Sequence, residues 1–352
     1  MGDSISSGEG TYGTYLPGTD TTTNKCHRSP NSYAAQFVGL SINSASWNLT
    51  NVACSGAGTT EIQEVVTPNI GDIPDSGELA QEDALSASTK LVTLTIGAND
   101  LNIGGFVTEC YTQSGSVPED NCFKAIQGNS TYEANLAALS TSLDEAYQSI
   151  ETDAPNATVA VLTYPLLYPQ TYTSSCETFG PFGIGVNDLV TSQDMLNSIN
   201  GIENQLDSTI TQAVEQMQLP NFILVDEKNA LAGHQLCSAD PWVNQLNNVN
   251  VSAGTDDDES LHPNVAGYHA MAVVLADRLD AGHFVDRSVD QGIANAYTSE
   301  GGLSGLGLPA DNGSGPYVHY WGSPQANVED FAGGSDGPAI MVDGPNGTYG
   351  RH

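Results

Sequence analysis

Between residues 90 and 279 the apolar residues of this chain alternate between two spacings, and that alternation limits the fold more than any other feature. Residues 90–96 (Lys-Leu-Val-Thr-Leu-Thr-Ile) form a short apolar run rich in β-branched residues, suited to a buried strand and too short for a stable helix. Tyr132, Leu136, Leu139, Leu143, Ala146 and Ile150 then recur at helical spacing. Thr158–Leu162 is a second strand-like run, with Pro165 just beyond it. Leu189, Leu196, Ile199, Ile202, Leu206, Ile210, Ala213 and Met217 mark a long helix that Pro220 stops. Phe222–Val225 is a third strand, and residues 264–279 a closing helix ended by Gly282. Upstream, residues 32–40 read as a short helix, and residues 47–52 lead into a loop at Gly56. Strand, helix, strand in repetition requires crossovers, and crossovers make neighbouring strands parallel. The predicted fold is α/β, a parallel sheet with helices on both faces.

In such a sheet the loops at the carboxyl ends of the strands form the ligand crevice. Four chemically informative residues fall in loops of that kind. Ser4 lies in the polar turn Gly2-Asp3-Ser4-Ile5, where small neighbours permit a tight bend and an exposed hydroxyl. His262, in Leu261-His262-Pro263-Asn264, precedes the last helix and is the candidate base. A serine hydroxyl is a weak nucleophile without a base to take its proton, and acyl chemistry also needs donors for the oxyanion. Gly56 offers a backbone N–H and Asn99, in Gly97-Ala98-Asn99-Asp100, a side-chain amide. Each has a plainer reading: Ser4 as a helix cap, Gly56 and Asn99 as turn residues, His262 as a structural histidine. The four in this order outweigh the string Gly-Asp-Ser alone. Glu259, three residues before His262, is a third candidate that would orient the imidazole; it equally extends the acidic run from Asp256. His269 reads as structural, and Asp100 as a cap on the segment that follows it.

The chain carries 42 acidic residues against 8 Lys and Arg, a formal charge of -34, which argues against nucleic acid and anionic membrane surfaces as partners. No apolar stretch approaches the roughly 18 residues of a membrane span. No signal peptide is visible, and no strand precedes the nucleophile turn, where one normally stands. The expectation is a core strand upstream of residue 1, or a misassigned start. Six cysteines, with no Cys-x-x-Cys and no His/Cys cluster, point to disulfides and export rather than to zinc. Pairing of sequence neighbours, Cys26–Cys54, Cys110–Cys122 and Cys176–Cys237, is the simplest of the many connectivities available. Asn-x-Ser/Thr sites at Asn48, Asn129, Asn156, Asn250, Asn312 and Asn346 make a glycoprotein chemically feasible, although a chain this rich in Asn, Ser and Thr supplies several by chance.

The division expected is a catalytic domain over residues 1–283 and a small Gly-rich module over residues 284–352. No helical periodicity runs through residues 301–352, which contain Ser-Gly-Leu-Gly-Leu-Pro at 304–309 and Phe-Ala-Gly-Gly-Ser at 331–335.

Taken together, Gly2-Asp3-Ser4, Gly56, Gly97-Ala98-Asn99-Asp100 and His262 resemble the four sequence blocks of the SGNH (GDSL-type) hydrolases. The resemblance covers residues 1–283 and is greatest to the secreted actinobacterial and fungal lipase and esterase branch, with its extended start through Ser6-Ser7-Gly8 and three sequential disulfides. It implies a flavodoxin-like three-layer α/β/α sandwich and no metal or organic cofactor. It also implies a nucleophile at Ser4, a base at His262, and an oxyanion hole of the Ser4 N–H, the Gly56 N–H and the Asn99 side chain. The family's usual Asp before the histidine is Glu259 here. Some members of the branch use instead a main-chain carbonyl two residues before the histidine, which would be Ser260. The tail faintly resembles an LGFP repeat, which would imply contact with a cell surface. The function expected is a secreted, monomeric serine hydrolase of carboxylic esters, acting on small-molecule, lipid or glycan esters and leaning to small or medium acyl chains. The competing reading is a non-catalytic surface- or glycan-binding protein built on a degenerate hydrolase domain.

Overall fold

The computed structural model describes residues 1–40, 47–65, 78–106, 110, 120–177, 190, 192–245, 259–280, 342–344 and 347–349. The module expected over 284–352 lies outside the described residues, apart from a small antiparallel ladder near its end. The segments 304–309 and 331–335 and the sites Asn250, Asn312 and Asn346 fall outside them too.

In chain order the described helices are α1 (Ser4–Ser7), α2 (Tyr33–Leu40), α3 (Thr60–Gln63), α4 (Asp120–Gln127), α5 (Ser130–Asp153), α6 (Gln193–Met217) and α7 (Val265–Asp280). The strands are β1 (Leu91–Leu94), β2 (Thr158–Leu162), β3 (Phe222–Val225), β4 (Val342–Gly344) and β5 (Gly347–Tyr349). The first three form a parallel sheet in the order β1-β2-β3, with Leu91 opposite Thr158 and Val159 opposite Phe222. This is the α/β class the alternation predicts. Helices α5 and α6 are the crossovers into β2 and β3; they pack on one another, as α2 does on α7. Strands β4 and β5 pair antiparallel, Val342 with Tyr349.

Local chemistry explains these boundaries. The Asn129 side chain accepts the first N–H groups of α5, from Thr131 and Tyr132, which those donors otherwise lack. Ser192 does the same for α6 at Met195. Helix α6 therefore starts at Gln193; Leu189, assigned to it from periodicity, lies outside the described residues. It ends where Gln218 turns left-handed, just before Pro220. In α5 the buried face is Tyr132, Leu139, Leu143, Ala146, Tyr147 and Ile150, the period-3.6 stripe closing on the core. Truncating Leu143 or Ile150 to Ala would cost about 2–5 kcal/mol. In the central strand Val159, Ala160, Val161 and Leu162 are all buried, as a strand covered on both faces must be.

Residues 47–52 take no regular structure. Residues 1–3 lie beside the edge of β1 away from β2: the Met1 amino group donates to Thr93 O at 3.1 Å and the Asp3 N–H to Thr95 O at 3.1 Å. All six cysteines pair with their sequence neighbours, Cys26–Cys54, Cys110–Cys122 and Cys176–Cys237. Among the described residues no helix is long and apolar enough to cross a membrane.

Candidate active site

The turn that carries Ser4 is built mostly from its own neighbours. Gly2 has φ +116°, and a Cβ there would lie 2.3 Å from Thr95 O, so only glycine lets the chain pass so close to β1. Its N–H donates to Gln81 Oε1 at 2.6 Å, and its carbonyl accepts from Gln81 Nε2 and Cys54 N–H. Asp3 caps α1, accepting the Ile5 and Ser6 N–H groups. The Asp3 carboxylate also accepts from the Thr95 hydroxyl at 2.7 Å and from the Tyr164 hydroxyl. Burial pushes the Asp3 carboxyl up to about 6, against the downward pull of those hydrogen bonds. Ser6 Oγ hydrogen-bonds Tyr33 Oη and Thr95 Oγ1, both at 2.8 Å. Both flanks of Ser4 are thus hydrogen-bonded into the fold.

The imidazole is brought to Ser4 from the other end of the chain. His262 Nε2 lies 2.8 Å from Ser4 Oγ, and its Nδ1 lies 2.9 Å from the Ser260 carbonyl oxygen. A carbonyl only accepts, so Nδ1 carries the proton and the Nε2 lone pair faces the Ser4 hydroxyl. Asn244 clamps this loop. Its N–H donates to His262 O at 2.8 Å and its carbonyl accepts the Leu261 N–H at 3.0 Å. Its side-chain amide donates to Gly10 O at 2.7 Å and Glu259 O at 3.2 Å. Leu261, between the orienting carbonyl and the histidine, holds φ +61°, an uncommon conformation for a branched residue that the clamp sustains. Gly10 is where the two regions touch: a Cβ there would sit 2.3 Å from Pro263 O and 2.8 Å from His262 Cβ.

Glu259 points away from the role of orienting acid. Its carboxylate accepts the Gly10 N–H at 2.6 Å and the Tyr15 hydroxyl, while His262 Nδ1 is taken by Ser260 O. The left-handed turn at Leu261 lies between the Ser260 carbonyl and the ring that carbonyl meets. Burial raises the Glu259 carboxyl above its ordinary value, opposed by the Tyr15 hydrogen bond.

Gly56 lies in the turn closed by the Ala57 N–H on Cys54 O, and Asn99 Nδ2 donates to Ala57 O at 2.9 Å, so the two proposed oxyanion donors belong to one assembly. Neither the Ser4 nor the Gly56 N–H has an acceptor among the described residues. Asp100 accepts from the Thr59 N–H and hydroxyl, so it anchors the start of α3 rather than capping the segment after itself. His269 is buried with Nδ1 2.8 Å from Gln36 Oε1, and burial lowers it to about 4, as befits a neutral core histidine.

Sequence reasoning passed over Glu9, Tyr164 and Asn244. Glu9 is 2% exposed, pairs with His27 Nδ1, accepts the Ser55 hydroxyl, and has one carboxylate oxygen 3.5 Å from His262 Nε2. The signal available was a carboxylate between two glycines, five positions after the serine; the signals for Tyr164 and Asn244 exist only in three dimensions. Among the described residues no group of three His, Cys, Asp or Glu side chains is arranged to hold a metal.

A model of the GDSL-like Lipase/Acylhydrolase family matches residues 1–270. Lipase 1 of Streptomyces coelicolor is 30% identical over 268 residues, covering 76% of this chain and 80% of that protein. Two solved structures share the fold at similar coverage. Phospholipase A1 from Streptomyces albidoflavus NA297 superposes with a TM-score of 0.57 at 29% identity, over 79% of this chain and 96% of that one. The extracellular lipase of Streptomyces rimosus gives 0.55 at 26% identity, over 79% and 97%.

Proposed function

The chain belongs to the GDSL-like lipase/acylhydrolase family and is a serine ester hydrolase; from that premise we propose that it is an exported carboxylic-ester hydrolase in which Ser4 is the nucleophile and His262 the base. The observation that carries the assignment is the 2.8 Å contact between Ser4 Oγ and His262 Nε2, made across 258 positions of sequence. Ser4 Oγ attacks the ester carbonyl while its proton passes to Nε2. The Ser260 carbonyl keeps Nδ1 protonated and steadies the imidazolium. The Ser4 and Gly56 N–H groups and the Asn99 amide receive the oxyanion, donors that need not reorganise as charge develops. Collapse expels the alcohol, which takes the proton from Nε2. Water, activated by the same nitrogen, then releases the acid.

Three disulfides support export, since such bonds persist in oxidising compartments, and the Streptomyces rimosus relative is an extracellular lipase. For substrate we infer a carboxylic ester of small or medium acyl chain. The charge of -34 disfavours approach to anionic bilayers. Ser4→Ala should abolish hydrolysis of a p-nitrophenyl ester, leave the fold intact and prevent fluorophosphonate labelling. Unchanged turnover would reject Ser4 as nucleophile. A wild-type protein that neither hydrolyses nor labels would favour the non-catalytic binding role.

A further inference from the structure

We infer that Glu9 is a positioning residue for this reaction, a buried carboxylate that stabilises the protonated base from the side of Nε2 and ties that base to the oxyanion loop. The inference rests on the Ser4–His262 reading above and adds a group that reading does not contain. One oxygen of Glu9 stands 3.5 Å from His262 Nε2, the nitrogen that gains and returns the proton. The same carboxylate accepts the hydroxyl of Ser55, the residue just before Gly56, and its other oxygen meets His27 Nδ1. One side chain thus touches the base and the loop bearing an oxyanion donor, and it sits five residues after the nucleophile.

The charge balance explains what it does. When Ser4 loses its proton the ring becomes an imidazolium, and the orienting carbonyl of Ser260 supplies only a dipole. With Glu259 engaged by Gly10 and Tyr15, the carboxylate that reaches the reacting nitrogen among the described residues is that of Glu9. A buried charge acts over a few ångströms with little screening, so it favours the charged ring that forms as Ser4 Oγ gives up its proton. His27 keeps the carboxylate in place from the far side. It stacks on Tyr15 at 4.8 Å, and its Nε2 lies 3.5 Å from Asp20. Among the described residues the other ionisable groups around this cluster are Glu259 and Tyr15, Tyr268, whose hydroxyl donates to Glu9 O, and Asp3 beside Ser4.

The test compares wild type with Glu9→Gln, Glu9→Asp, Ser55→Ala and Ser4→Ala, measuring kcat, KM and the pH profile of kcat/KM on a p-nitrophenyl ester. Glu9→Gln retains an acceptor for Ser55 and removes the charge. It should lower kcat roughly ten- to hundred-fold, the scale of one lost electrostatic contact to a developing charge, with KM nearly unchanged. The acid limb should move to lower pH, because the ring loses the anion that favours its protonation. Glu9→Asp should recover part of both effects. Ser55→Ala should leave the acid limb where it is. A Glu9→Gln enzyme within about two-fold of wild type with an unmoved acid limb overturns the inference. So does a Ser55→Ala enzyme that moves the limb equally, since the effect would then come through loop geometry. If Glu9→Gln does not fold, Glu9→Asp decides by the same limb, and an unmoved limb is fatal. Ser4→Ala separates the two levels: turnover surviving there defeats the proposed function, whereas an inactive Ser4→Ala beside an unaffected Glu9→Gln defeats this inference alone.

Discussion

The proposed nucleophile and the proposed base are held by opposite strategies. Ser4 is fixed mostly by residues within three positions of it, Gly2, Asp3 and Ser6, braced on Thr95 at the end of β1. His262 is fixed from afar, by Asn244, by Gly10, and by the backbone of its own loop. A locally held group keeps its geometry as long as its short peptide survives. A remotely held group depends on the whole fold arriving at the right place. His262 is therefore the half of the candidate site most exposed to damage elsewhere in the molecule.

The contact between the halves offers the largest test of that difference. Gly10→Ala puts a methyl group against Pro263 O and His262 Cβ at a position with φ +101°. It should lower kcat/KM by roughly a hundred-fold or more, the scale of a misplaced catalytic group, without altering any residue proposed to react; steady-state kinetics at constant folded fraction checks it. If activity survives, the base tolerates displacement and the contrast fails. Glu259→Gln probes the base region more gently. Because that carboxylate serves Gly10 and Tyr15 rather than the ring, activity should fall only about two- to five-fold, the scale of one modest hydrogen bond. A loss of several orders of magnitude would restore Glu259 as the acid of a triad.

The smallest effect on activity is expected away from both halves. Asp207 accepts the Tyr164 N–H at 2.9 Å, but its second oxygen is buried without a partner among the described residues, and burial pushes the carboxyl up to about 7. A raised folded value means the folded state binds the proton more tightly than the unfolded one. Its contribution to stability is thus greatest below the ordinary carboxylate range, near 4, and falls as pH rises to about 7. Asp207→Asn should leave kcat unchanged and raise Tm by a few degrees at pH 8, with little gain at pH 4. A Tm gain independent of pH would show that ionisation is not the cause.

The same contrast explains what could be read from sequence. The sheet was legible because the three apolar runs and two long helices are local patterns; Thr158–Leu162 and Phe222–Val225 were located to the residue. Disulfide pairing by sequence neighbours was legible too. The Gly2-Asp3-Ser4 turn was visible because its holding groups are written beside it. Glu9 and Asn244 were not, because their meaning lies in what they meet 253 and 18 positions away. Glu259 stayed open between orienting acid and acidic run for a related reason: spacing alone cannot say that its carboxylate meets Gly10 and Tyr15 while Ser260 O meets the ring.

An imidazole steered by the peptide oxygen of residue 260 has an unusual genetic consequence. Every amino acid that could stand there brings the same oxygen, so no codon change at that position deletes the steering group itself. An alanine scan would report a machine with one part fewer than it has. The vulnerable letter is the next one, Leu261, where a residue that refuses the left-handed bend, proline above all, would swing the oxygen off the ring while leaving both reactive side chains in the gene.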